Sequence, residues 1–186
     1  MSKTMKVLKP ALLLFIVMTV LCGVIYPGVV TGIAQIVFPN QANGSIITVT
    51  LKDGTRKGFG SALIAQEFTK PEYLIGRPMG VTNLSPVGKK QQELVKERID
   101  WLHSIDPGNS ADIPMDLVTA SGSGVDPHIT LEAAQYQAAR IARERNMSED
   151  AVREIIARYT SGRFLGFWGE PHVNVLKVNL ALDGLL

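Results

Sequence analysis

The chain is poor in the residues from which most small catalytic and metal sites are built. Its 186 residues include one cysteine, Cys22, and three histidines. A single cysteine excludes an internal disulfide, and no Cys/His spacing matches a zinc site. No G-x-x-x-x-G-K-[ST] phosphate loop, no G-x-S-x-G elbow and no aspartyl-phosphate signature of an ion pump occurs, so the chain alone is expected to hydrolyse nothing. Net charge is only +2 and the sequence pI is about 8.7. That excess is too small and too dispersed for a nucleic-acid binder. Hydrophobic residues at 46% against 19% charged exclude a disordered chain.

Charge is absent altogether from Pro10 through Leu51. Within that stretch, Ala11 to Ile33 is apolar apart from Thr19, Tyr26 and Thr31. As a helix it is about 35 Å long, enough to cross a hydrocarbon core of about 30 Å. Pro27 is expected to kink it or end its straight part, and Tyr26 suits a membrane interface. Lys3, Lys6 and Lys9 precede the block, whereas Pro39 to Leu51 carries no charge. The positive-inside rule therefore places the N-terminus in the cytoplasm and the remainder outside. A cleaved signal peptide has the same basic start, but this apolar stretch runs on too far. Its best small-x-small site, Gly32-Ile33-Ala34, lies too deep, and Leu21 before Cys22 does not fit a lipoprotein cysteine. The reading is an uncleaved, single-pass anchor: residues 1–10 a basic cytoplasmic start, 11–38 the transmembrane helix and its exit, 39–186 an extracytoplasmic domain. Without its three lysines the remainder is close to neutral.

The domain reads as small α+β. Pro39 to Ser45 is a linker. Ile47, Val49 and Leu51 alternate with threonines as a half-buried strand. Asp53-Gly54 signals a hairpin turn, with Ser61 to Gln66 as the returning strand. Residues 76–86 and Asp106 to Pro114 are irregular. Lys89 to His103 is helical, with Val95, Ile99 and Leu102 on one face. Thr130 caps a helix burying Leu131, Ala134, Ala138 and Ile141. After a tight connection at Asn146-Met147, Ser148 caps a second helix, with Val152, Ile155, Ile156 and Tyr159 as its stripe. Leu176, Val178, Leu180 and Leu182 alternate with Lys177, Asn179 and Ala181 as a final strand.

The most unusual segment is Asp116 to His128, which contains Ser121-Gly122-Ser123-Gly124. Small residues let another backbone come close, and free N–H groups there can form an anion nest, a weak candidate site for a nucleotide. Asp126 and His128 suit acid–base or metal chemistry, but Asp126 can also cap local backbone and His128 can simply fix the loop. Ser, Asp and His within eight residues do not form a triad by local geometry. A structural or docking role is the favoured reading, with Gly122, Gly124, Asp126 and His128 as docking candidates. Arg77, in Gly76-Arg77-Pro78, reads as one half of an ion pair with a core carboxylate. Around Trp168-Gly169-Glu170-Pro171-His172, the aromatics Phe164, Phe167 and Trp168 either cover a turn or face a partner. Trp168 and Glu170 are therefore docking candidates too.

Taken in order, these motifs resemble a known family. Tyr26-Pro27, Gln35, Phe38-Pro39 and Gln41 to Ser45 are followed by Gly60 to Ile64, Gln66, Gly76-Arg77-Pro78 and Asn83-Leu84. Then come Glu97-Arg98, Pro114 to His128, Leu165-Gly166, Gly169-Glu170-Pro171, Val173 to Leu176 and Asn179 to Asp183. This is similar, end to end, to the KdpC family, whose members are subunits of the bacterial Kdp potassium-transporting P-type ATPase. Ala65, Met79 and His172 depart from the pattern, and the loop after Arg77 is short for it. The resemblance implies a non-catalytic subunit in the inner membrane that needs no cofactor of its own, ATP and potassium being handled by the complex. It implies as partners a channel-like potassium-conducting subunit (KdpA), an ATP-hydrolysing subunit (KdpB), a small single-helix subunit (KdpF) and the lipid bilayer, with no nucleic acid. The family is also described as a catalytic chaperone that raises ATP affinity in the ATP-hydrolysing subunit through a transient complex with nucleotide. The charge argument puts the Ser-Gly loop outside, away from ATP, and favours docking on the outer face of the potassium-conducting subunit. A free membrane-anchored enzyme is a third reading, with Asp126, His128, Glu170 and His172 its only acid–base candidates.

An uncleaved anchor makes a direct prediction. Intact-mass measurement of the mature chain should find the apolar block present, and a mature start near Ile36 would contradict it.

Overall fold

The computed structural model describes residues 3–186. The side chains of Lys3 and Lys6, part of the charge asymmetry, lie outside the described ones. The chain divides into two compact units between Ser45 and Ile46.

The first unit is one long helix and its cap. Helix α1 (Lys3–Val20) runs through Pro10 into a π-helical turn, Leu21–Ile25, and on into α2 (Tyr26–Val37). Pro27 therefore does not end the helix. It stands in the first turn of α2, where a missing N–H is tolerated, and the amide of Tyr26 reaches back to the carbonyl of Leu21 in a widened turn. Val7–Val37 has mean hydropathy 2.5 and no buried residue, and is long and apolar enough to cross a membrane. What reads as a linker is a further helical turn, α3 (Pro39–Ala42). Asn43 fastens it by donating to the Pro39 carbonyl (2.6 Å) and to Gln35 Oε1 (3.1 Å).

The second unit mixes helix and sheet. Strand β1 (Ile46–Thr50) pairs antiparallel with β2 (Arg56–Ser61). The turn is the expected Asp53-Gly54, where Asp53 Oδ1 accepts from the amide and hydroxyl of Thr55. The returning strand is Arg56–Ser61 and not Ser61 to Gln66, because so short a turn sends the chain straight back along β1. Helix α4 (Lys89–Ile105) follows an irregular stretch and buries Leu102. Next come β3 (His128–Ile129) and α5 (Leu131–Tyr136), capped by Thr130 as expected. The helix then breaks at Gln137 and resumes as α6 (Ala138–Arg145). Asn146 takes a left-handed conformation, φ 53°, to end it, and Ser148 caps α7 (Glu149–Arg158). Strands β4 (Thr160–Ser161) and β5 (His172–Asn174) lead into α8 (Val175–Leu182). The small sheet has the order β3-β5-β4, all antiparallel.

The segment expected as a final strand is thus a helix. Asn174 accepts from the Lys177 amide as its N-cap. Helix α8 is buried nearly all round, through Val175, Leu176, Val178, Asn179, Leu180 and Leu182. An all-round apolar helix has no amphipathic period, so accidental alternation mimics a strand. Its Val178 packs in the core with Leu74, Ile129, Ile141, Val152 and Ile156.

That core also contains non-helical backbone. Leu74 is fully buried in a segment of no regular structure. Asn179 accepts from its N–H (2.8 Å) and donates to its C=O (2.9 Å). Gln137 makes the same pair of bonds to Ile75, at 2.9 and 3.0 Å. Arg140, 2% exposed, donates to the carbonyls of Pro71 and Tyr73.

Candidate docking loop

The loop from Thr119 to His128 is built from its own short side chains. Ser121 Oγ accepts from the amide of Gly124 (3.0 Å) and, more weakly, of Asp126 (3.4 Å). Ser123 Oγ accepts from the amide of Val125 (3.2 Å). The amides of Gly124, Val125 and Asp126 are thus engaged within the loop. At its start, the Thr119 hydroxyl donates to the Met115 carbonyl, and Arg98 of α4 donates to the Val118 carbonyl at 2.7 Å.

Two further contacts tie it to distant chain. The Gly80 amide donates to the Gly124 carbonyl, and the Ala65 amide to that of Val125, both at 2.9 Å. Gly124 has φ +71°, and a Cβ there would lie 2.6 Å from the Gly80 carbonyl carbon and 2.9 Å from the Val81 nitrogen. Only glycine permits both the dihedral and the approach. Gly122 differs, with nothing within 4 Å of a Cβ built there. Ser121 and Gly122 border an open cleft of about 300 Å³, lined also by Val81, Asn83, Gln91 and Arg98.

Beneath the loop sits an ion cluster. Arg77 Nη2 lies 2.5 Å from Asp116 Oδ1, and its Nε lies 3.7 Å from Asp126 Oδ2. The core carboxylate expected for Arg77 is therefore Asp116, which is 7% exposed. The other Asp116 oxygen accepts from the Thr130 amide at 2.6 Å, at the start of α5. Asp126 caps locally, as expected, by accepting from the His128 amide (3.0 Å). His128 also lies 3.5 Å from Asp126 through Nδ1 and 3.3 Å from Asn174 through Nε2, with its ring 4.3 Å from that of His172. Burial, then the neighbouring His172 and Lys177, pushes His128 below the usual histidine range against the pull of Asp126. An imidazole carried on β3 and held against Asn174 of β5 is suited to positioning.

The fold brings Ser121, Gly122, Ser123, Gly124, Asp126 and His128 together with Arg77, and sets His172 against His128 with the rings tilted by 60°. Trp168 and Glu170 lie in a stretch from Ser161 to Glu170 that is exposed throughout, and the Glu170 carbonyl meets His172 Nδ1 at 2.9 Å. Phe164, Phe167 and Trp168 are each 70% exposed or more, so they do not cover a turn. Sequence reasoning did not find Gly80 or Arg98. Their partners, Gly124 and Val118, are 44 and 20 residues away along the chain, and no local period marks them.

A family model, "KdpC: K+-transporting ATPase, c chain", matches residues 8–184. The chain is 57% identical to the potassium-transporting ATPase KdpC subunit of Listeria monocytogenes serovar 1/2a, over 100% of this chain and 99% of that protein. It is 50% identical to that of Methylococcus capsulatus, over 95% and 97%. To that of Clostridium perfringens it is 49% identical, over 98% and 99%.

The two glycines should separate cleanly. Gly124→Ala is expected to cost about 1–3 kcal/mol from backbone strain and overpacking, and Gly122→Ala within about 0.5 kcal/mol. Denaturant titration of the detergent-solubilised chain measures both, and equal effects would contradict the close approach.

Proposed function

The chain belongs to the KdpC family of K+-transporting ATPase c chains, and we propose that it is a non-catalytic accessory subunit of an ATP-driven potassium uptake complex. It is held in the inner membrane by its N-terminal helix. The domain beyond Ser45 lies outside the cytoplasm and docks on the outer face of the potassium-conducting subunit, stabilising the assembly. The observation that carries this reading is the held state of the Ser-Gly loop. Gly124 lies against Gly80 backbone to backbone, and Asp116, Arg77 and Asp126 fix the loop from below. A loop ordered before binding loses little entropy on docking, and its short side chains admit a partner's backbone.

The nucleotide-chaperone reading finds less support. An anion nest needs successive free amides, and within the candidate loop the Gly124 amide is already taken by the Ser121 hydroxyl, as are the next two amides along the chain by Ser123 and Ser121. The lysines before the span and the absence of charge after it likewise favour a domain remote from cytoplasmic ATP.

Reporters fused after Leu186 test the placement. Alkaline phosphatase, active only outside, should be active, and green fluorescent protein, fluorescent only inside, should be dark. The reverse pattern would overturn external docking and favour the nucleotide role.

A further inference from the structure

Between Gly162 and Gly169 the domain pushes out a tight turn with an apolar tip. Phe164, Leu165, Phe167 and Trp168 are 71, 73, 70 and 70% exposed. Only glycine lies among them, and Arg163 and Glu170 flank them. The tip is convex and its neighbours are all exposed, so it has no groove of its own to fill.

Two features show that this is a built element. Four of its amides are bonded within the turn: the Phe164 amide donates to the Trp168 carbonyl (2.8 Å) and the Trp168 amide to the Phe164 carbonyl (2.9 Å). The Gly166 amide donates to Arg163 and the Phe167 amide to Phe164. The central residues of the turn, Leu165 and Gly166, have φ +52° and +81°. Turns of this hand favour Asn, Asp or Gly at both places. A branched leucine there carries strain, and it sets an apolar side chain at the outermost point.

We propose that this tip inserts into the interfacial layer of the lipid bilayer. Four amides bonded within the turn need no water, which lowers the cost of entering an apolar medium. Trp and Phe partition to the boundary between headgroups and acyl chains, and Arg163 can meet a lipid phosphate. The bilayer is within reach. Only Gly44 and Ser45 separate the helical segment that ends at Asn43 from Ile46, about 10 Å of chain at most, so the domain begins close to the end of the span. The proposal requires that residues 7–37 span a bilayer and is independent of docking on any subunit.

The chain has two tryptophans, so Trp101→Phe leaves Trp168 as the sole reporter. The full chain with this change is reconstituted without other subunits into phosphatidylcholine–phosphatidylglycerol vesicles, with and without lipids brominated near the headgroup. Trp168 emission should be blue-shifted and fall at least about two-fold with brominated lipid. Adding Leu165→Asp and Phe167→Asp should abolish the quenching while circular dichroism stays unchanged, since both side chains face solvent. Solvent-like emission without lipid quenching overturns the proposal. So does shielding of Trp168 that appears only when the other subunits are present, which would make the tip a protein contact.

Discussion

The backbone from Pro71 to Ile75 runs through the core without being a strand, and the domain is arranged around satisfying it. Each buried N–H or C=O left unpaired costs about 1–3 kcal/mol. Asn179 and Gln137 act as borrowed ladder rungs, each bonding both polar groups of one residue. Arg140 donates to the Pro71 and Tyr73 carbonyls, and Arg145 to that of Glu72 at 2.7 Å. Burial pushes Arg140 down to about 10, so it stays charged at neutral pH and the bonds remain charge-assisted. The break between α5 and α6 falls at Gln137, whose amide group also bonds the Ala133 carbonyl.

This clamp positions the residues next to it along the chain. Once Leu74 and Ile75 are fixed, Gly76 and Arg77 emerge at a defined place, and Arg77 meets Asp116. Asp116 in turn holds the Thr130 amide where α5 begins. The Ser-Gly loop spans these points, so its order derives from the buried amides two steps away. The aromatic tip obeys a different principle. The loop adds bonds to distant chain, at Gly80 and Ala65, to those of its own serines, whereas the hydrogen bonds of the tip close within the turn and its side chains face outward. The proposed roles assign one element to a partner's backbone and the other to lipid.

Features written in local pattern were legible in the sequence. The apolar span, the Asp53-Gly54 turn, the caps at Thr130 and Ser148 and the α4 stripe each depend on residues within one turn or hairpin. Arg77 was legible as an ion-pair half because a single arginine in a constrained Gly-Arg-Pro loop is better served by a core carboxylate than by a substrate. Helix α8 was not legible, since burial on all sides erases the period that separates helix from strand. The returning strand was placed too late because the apolar signal of Ser61 to Gln66 outweighed the hydrogen-bond arithmetic of a short turn. Gln137 and Asn179 gave one usable signal, a polar residue inside an apolar run, but their partners are 62 and 105 residues away. The family was legible because the ordered motifs extend over nearly the whole chain.

Amide hydrogen exchange at Leu74 and Ile75 tests the central claim most directly, measured on the full chain in detergent micelles. Both residues lie outside regular structure, so an ordinary loop would exchange them quickly. If side-chain amides replace a strand ladder, they will exchange as slowly as the core-helix amides of Ile141 and Val178, and Asn179→Ala will selectively release Leu74. Exchange at the rate of the exposed Gly54 turn would contradict the account.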